Sequence, residues 1–265
     1  MTKIEGVILD WAGTAVDFGC FAPVNVFLDI FKNAGVEVTL GEAREPMGML
    51  KIDHIRTMLA MPRIQDAWQN LYGRPSNEED VAALYERFEK QLMVSLATYT
   101  DPIPTVLNTV NDLKAAGLKI GSTTGYTRGM MDVVVPNAKE KGYEPQSLVT
   151  PDDVDGFGRP YPYMIFENMK RLGLQDVRKI VKVGDTASDI REALQAGVWA
   201  VGVIIGSSEM GLSQQEFGAL DEEQKGQAID STRQRFEAVG AQFTIETMAE
   251  LPQLIEKLEQ ELSID

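Results

Sequence analysis

Apolar positions follow two rhythms along this chain. Val7, Ile8 and Leu9 make a short unbroken apolar run that ends at Asp10, the pattern of a parallel strand buried on both faces. Phe18 to Pro23 then reads as a linker, and from about 20 to 98 the spacing is helical throughout. Val24, Phe27, Leu28 and Phe31 recur at i, i+3, i+4 and i+7, and Gly35 closes that helix. Thr39 and Glu42 have capping-box spacing, Pro46-Met47-Gly48 interrupts, and a further helix opens near residues 50–54 and is limited by Pro62. Ile64, Trp68, Leu71 and Tyr72 mark the next helix, which Gly73-Arg74-Pro75 stops. Ser76 and Glu79 have capping-box spacing ahead of the stripe Val81, Leu84, Tyr85, Phe88 and Leu92.

Beyond Pro102 and Pro104 the rhythm changes to short apolar runs between helical stretches. The pattern predicts a helix over 106–113, a strand over 118–123, a helix carrying Met130, Met131 and Val134, and a strand at Leu148-Val149. A helix with Met164, Ile165 and Met169 follows, then a strand over 180–185, a helix over 190–194 and a strand over 199–203. Residues 206–236 are polar and read as loop and surface helix, and a strand over 242–245 with a helix over 248–262 closes the fold. Such alternation implies a parallel sheet with right-handed crossovers. The expected architecture is α/β, a Rossmann-like parallel-sheet core over 1–19 and 100–265, interrupted by an inserted α-helical cap domain over 20–99.

The 265 residues suffice for a sizeable core, and a net charge of −15 argues against nucleic acid or an acidic membrane surface as partner. An anionic substrate would then need local cations or a metal. The one cysteine, Cys20, excludes a disulfide framework, and the one histidine, His54, excludes a multi-histidine metal centre. With no leader pattern and no apolar run of membrane-spanning length, a cytoplasmic protein is expected.

Small polar and acidic groups follow three of the strands: Asp10 after the first, Ser122-Thr123-Thr124-Gly125 after the next, and Gly184-Asp185-Thr186-Ala187-Ser188-Asp189 after a later one. Parallel strands put these ends on one edge, where open α/β sheets bind ligands. Gly13 lets the chain turn sharply, leaving Thr14 and its neighbours to offer N–H groups to an anion. Asp10 and Asp185 together would attract a hard cation such as Mg²⁺. Each Asp alone also fits a helix N-cap; the coincidence of three strand ends favours a site.

These motifs resemble those of the haloacid dehalogenase superfamily, whose cap is inserted just after the first of them. More specifically, residues 10–23, 46–54 and 121–127, with Gly158-Arg159-Pro160-Tyr161-Pro162, resemble the phosphonoacetaldehyde hydrolases over nearly the whole chain. Asp155-Gly156-Phe157 makes the loop before Arg159 longer than is usual there. The resemblance implies Asp10 as nucleophile toward phosphorus, Thr124 and Arg159 as ligands of the phosphonyl oxygens, and Lys51 as the amine forming a Schiff base with the substrate aldehyde. It also implies Mg²⁺ held by Asp10, Asp185 and the Ala12 carbonyl with Asp189 in support, and a homodimer through the cap.

Residue chemistry points the same way. General phosphatases of the superfamily carry an Asp two residues after the nucleophile to protonate a leaving alcohol; Ala12 cannot, at a cost of about 10²–10⁴ in rate. Cleaving a C–P bond requires an electron sink for a carbanion, which a lysine iminium provides. Lys51 in the first turn of a helix has its charged form disfavoured, and His54, three residues on, shares its face and could shuttle protons. Cys20, Tyr126, Gly125 and Met47 are candidate pocket contacts, while Met49, Met58 and Trp11 read as packing. A phosphatase or phosphomutase of the same fold is an alternative, against which Ala12 and Lys51 count. A silent binding protein is another, against which the complete set Asp10, Thr124, Arg159 and Asp185 counts.

Overall fold

In the computed structural model, which describes residues 3–262, β1 (Gly6–Leu9) lies at the centre of a six-stranded sheet with order β3-β2-β1-β4-β5-β6. The other strands are β2 (Lys119–Thr123), β3 (Ser147–Val149), β4 (Ile180–Gly184), β5 (Trp199–Val203) and β6 (Phe243–Ile245), all paired in parallel. The outermost ends of the expected core, residues 1–2 and 263–265, lie outside the described residues. The strand order reverses between β1 and β4, the switch point at which such sheets open a crevice beyond the strand ends.

Burial of both faces explains why β1 is apolar throughout. Val7 and Leu9 of β1 enter one hydrophobic cluster and Ile8 a second, on the opposite face. The first cluster holds residues of α6 (Val106–Ala115), α7 (Arg128–Glu140) and α12 (Leu251–Glu261); the second holds residues of α8 (Tyr163–Leu172), α9 (Ala187–Ala196) and α11 (Glu222–Ala238). A short α10 (Gln214–Ala219) precedes α11, which is not wholly a surface helix: Phe236 is fully buried against Gly202 of β5.

Between β1 and α6 the chain forms five helices and no strand: α1 (Phe21–Asn33), α2 (Leu40–Arg44), α3 (Lys51–Ala60), α4 (Pro62–Tyr72) and α5 (Glu78–Ser95). Helices α1 and α3 both pack on α5, and the Phe27 ring stacks on Phe88 at 4.4 Å and on His54 at 3.8 Å.

Two boundaries differ from the sequence pattern. Phe21 to Pro23 are the first turn of α1 rather than linker, because Asp17 accepts hydrogen bonds from the Phe21 and Ala22 amides, and Pro23 has no amide hydrogen to leave orphaned. The capping box of α5 is Asn77 with Asp80, one residue beyond Ser76 and Glu79, since Asn77 Oδ1 accepts from both the Glu79 and Asp80 amides. No helix among the described residues is long and apolar enough to cross a membrane.

Phe27 joins α1 to α3 and α5 through fully buried surface, so Phe27→Ala should cost about 3–5 kcal/mol of unfolding free energy. Urea denaturation checks this, and a loss below about 1 kcal/mol would show that the helical layer does not rest on this ring.

Candidate active site

Three loops converge at the switch point because β1 is hydrogen-bonded to both β2 and β4. Asp10 follows β1, and its amide donates to the Val183 carbonyl, which fixes the residue beside β4. Asp185 follows β4 and accepts from the Ser208 amide at 2.8 Å and the Thr14 hydroxyl at 3.3 Å. At Gly13, φ is +88° and a Cβ would lie 2.0 Å from Asp185 Oδ2, so the turn after the first strand is shaped around that carboxylate. Asp189 lies in the first turn of α9, where it forms a capping box with Thr186.

Arg159 reaches this cluster from the loop before α8. It donates from Nη2 to Asp10 Oδ1 at 2.6 Å and to Thr123 Oγ1 at 2.8 Å, and from Nε to Glu192 at 3.0 Å. Lys182, inside β4, pairs with Asp189 at 2.9 Å and Glu192 at 3.4 Å. The 155–157 segment takes left-handed backbone at Asp155 and Gly156 and delivers a buried Arg159 to Asp10. Asp10, Asp185, Asp189 and Glu192 thus confront Arg159 and Lys182, four carboxylates against two cations, all buried.

The electrostatics follow from that imbalance. Burial, then the neighbouring Asp10 and Asp189, push the Asp185 carboxyl well above the usual range. Asp189 is also desolvated, but Arg159 and Lys182 outweigh burial and hold it below. For Arg159 burial is likewise overcome, by Asp10, Asp189 and Glu192, and its guanidinium stays firmly charged. Carboxylate oxygens of Asp10, Asp185 and Asp189 lie within 4.8 Å of one another, a group that could hold a metal ion. A carboxyl that resists ionising beside two others, with oxygen-only donors, fits a hard divalent cation.

The opposite wall comes from the helices between β1 and α6. Lys51 is the first residue of α3 and is 3 % exposed; its Nζ donates to Met47 Sδ at 3.8 Å and lies 5.4 Å from the centre of the Tyr126 ring. Burial, assisted by Arg159, lowers its pKa, against the opposing pull of Cys20, Asp10 and Asp185. Gly125 permits the approach of this wall, since a Cβ there would meet the Met49 carbonyl at 2.7 Å. Arg44, at the end of α2, donates to the Gly19 carbonyl at 2.7 Å and to Ser208, the residue whose amide holds Asp185.

A small cavity lies between the walls. Asp10, Ala12, Thr124, Gly125, Tyr126, Arg159 and Thr186 line it from the sheet side, and Cys20, Met47, Gly48 and Lys51 from the other. Thr14, Asp185 and Asp189 stand behind Asp10. His54 is not in the lining: its ring stacks on Phe27, and its Nε2–H donates to the Ala43 carbonyl at 3.0 Å. Burial, then the Lys51 charge, hold His54 neutral, and its Nδ1 has no hydrogen-bond partner.

Several residues of the site escape motif reading. Lys182 signals itself as a charge inside an apolar strand, and Glu192 as an acid one turn beyond Asp189. Asp17 carries no such sign; burial pushes its carboxyl up to about 7 against the Ala22 and Phe21 amides and Arg44.

Comparison with known proteins agrees with this geometry. Residues 4–197 match a family model described as haloacid dehalogenase-like hydrolase. The chain is 64% identical over 261 residues to a phosphonoacetaldehyde hydrolase of Lysinibacillus sphaericus, covering 98% of this chain and 97% of that one. It is 52% identical over 259 residues to a bifunctional phosphonoacetaldehyde hydrolase/aminoethylphosphonate transaminase of Clostridioides difficile, covering 98% of this chain and 41% of that longer one. A crystal structure of a phosphonoacetaldehyde hydrolase-like protein from Oleispira antarctica superposes with a TM-score of 0.95 at 40% identity, over 98% of this chain and 94% of that one. The chain therefore belongs to the phosphonoacetaldehyde hydrolase family of the haloacid dehalogenase-like hydrolases.

Proposed function

We propose that this protein hydrolyses phosphonoacetaldehyde to acetaldehyde and phosphate, through an imine on Lys51 and a phosphorylated Asp10. The observation that carries the reading is a buried lysine with a lowered pKa facing a strand-end carboxylate across one small cavity, with Ala12 where an ester phosphatase needs an acid. The names of the relatives support the substrate.

Lys51 Nζ attacks the aldehyde carbon and water is lost, giving an iminium. His54, three residues on along α3, would relay the proton shed by the lysine through its free Nδ1 rather than keep it, since burial and the Lys51 charge hold the ring neutral. An Asp10 carboxylate oxygen attacks phosphorus; the C–P bond breaks, and its electron pair passes into the enamine as the iminium nitrogen becomes neutral. Protonation of the enamine carbon and addition of water release acetaldehyde and regenerate Lys51. A second water attacks the phosphoryl group on Asp10 and frees phosphate. The balance is one water consumed per substrate.

Arg159, the Thr124 hydroxyl and the Gly125 backbone bind the phosphonyl oxygens, and Met47, Cys20 and Tyr126 shape the pocket around the two-carbon chain. Asp10, Asp185 and the Ala12 carbonyl would hold Mg²⁺, with Asp189 and Thr14 steadying them. When bound, the ion offsets carboxylate repulsion and the charge of the phosphonyl group. The helices over 20–99 act as a cap domain on the core over 1–19 and 100–265, excluding bulk water from the reactive enamine. A homodimer through the cap goes with this reading, and exposed Met93 and Val94 at the end of α5 are apolar surface on that domain.

Lys51→Arg should abolish turnover, because a guanidinium keeps the charge but forms no imine. Residual activity above about a hundredth of wild type, measured as phosphate release, contradicts the imine. Asp10→Ala should still yield a borohydride-reduced adduct on Lys51 while releasing no phosphate; normal phosphate release removes Asp10 from the mechanism. The lowered Lys51 pKa also sets a pH dependence. Imine trapping should rise with pH about a midpoint below the ordinary lysine value of 10.5, and a midpoint at 10.5 or above contradicts the buried amine.

A further inference from the structure

We propose that Glu192, with Lys182 behind it, is a positioning residue that reserves one edge of the Arg159 guanidinium for the phosphonyl group; this rests on the reading of Arg159 as a phosphonyl ligand. A free Arg beside a carboxylate favours the two-pronged pairing in which two N–H groups meet both oxygens. Arg159 does not pair that way. Its Nη2 contacts one oxygen of Asp10 and, at 3.1 Å, one of Asp189, and its Nε is turned to Glu192 Oε2 at 3.0 Å. Three carboxylates, Asp10 just after β1 and Asp189 and Glu192 of α9, therefore pin the guanidinium plane at its Nη2 and Nε corners. Nη1 is left with only the Gly48 carbonyl at 3.5 Å, too long for a good hydrogen bond, on the residue that lines the cavity.

Glu192 is itself held. Its Oε2 accepts from the Thr123 hydroxyl at 3.2 Å and pairs with Lys182 Nζ at 3.4 Å. Lys182 Nζ and Arg159 Nη2 both donate to Thr123 Oγ1 at 2.8 Å, which leaves the Thr123 hydrogen for Glu192. Among the described residues Glu192 Oε1 is buried without a hydrogen-bond partner, so the contacts of this side chain converge on Oε2. Removing Glu192 frees Nε, and Arg159 can turn into a two-pronged pair with Asp10. That pairing occupies both oxygens of the nucleophile and turns the binding edge away from the cavity.

The test compares wild type, Glu192→Ala and Glu192→Gln for turnover of phosphonoacetaldehyde, inhibition by inorganic phosphate, and borohydride trapping of Lys51 by acetaldehyde, which has no phosphonyl group. For Glu192→Ala we expect kcat/KM to fall about 100-fold and phosphate inhibition to weaken about tenfold, with trapping within about twofold of wild type. Glu192→Gln, whose amide oxygen still accepts from Nε, should recover phosphate inhibition to within about threefold. A folded Glu192→Ala with wild-type turnover and phosphate inhibition overturns the proposal, as does a Glu192→Gln no better than Glu192→Ala. If Glu192→Ala does not fold, Glu192→Asp, one methylene short, takes its place with the same expected losses. Failure of wild type to release phosphate overturns the functional reading instead, and is told apart because it needs no variant.

Discussion

Like charges repel most where water cannot screen them, and this protein buries four carboxylates where β1, β2 and β4 end. Arg159 and Lys182 hold Asp189 ionised and Arg159 fixes one oxygen of Asp10, but Asp185 is left facing its neighbours with its carboxyl pushed up. Such a cluster is tolerable only if its members cannot relax. Hence β1 is clamped between two strands, Gly13 wraps Asp185, and Asp189 and Glu192 project from successive turns of one helix. The remaining excess of negative charge is what a divalent cation would relieve, and that cation and Arg159 together make the crevice attractive to an anion in a chain of net charge −15.

The imine chemistry proposed for Lys51 depends on closure. Lys51 is buried where the loop before α3 lies against Gly125, and burial is the main cause of its lowered pKa. Arg44 ties the same wall to Ser208 and so to Asp185, which makes the position of the amine and the position of the acid cluster parts of one structure. The site therefore joins a rigid strand-end carboxylate to an amine delivered by a separate helical layer.

Much of this was legible in the sequence. The apolar run at 7–9 and the mostly apolar stretch 180–183 announced strands buried on both faces, and Asp10 and Asp185 stood at their ends; helical spacing over 24–92 announced the helical layer. What escaped depended on three dimensions. The first turn of α1 was hidden because its cap, Asp17, sits four residues upstream in left-handed backbone, outside the usual capping spacing. Glu192 was hidden because its meaning comes from Arg159, 33 residues away in sequence. His54 shares a helix with Lys51 as its spacing implied, but the aromatic ring of Phe27 and the Ala43 carbonyl draw it out of the cavity wall.

The central claim is that this site breaks a carbon–phosphorus bond and lacks the acid needed for an ester. Its most direct test gives the same wild-type protein, with Mg²⁺, either phosphonoacetaldehyde or a small phosphate monoester, and measures phosphate and acetaldehyde. Equimolar phosphate and acetaldehyde from the phosphonate, with ester turnover at least about 100-fold slower, is the expected result. Ester hydrolysis at a comparable rate, or phosphate without acetaldehyde, would contradict it.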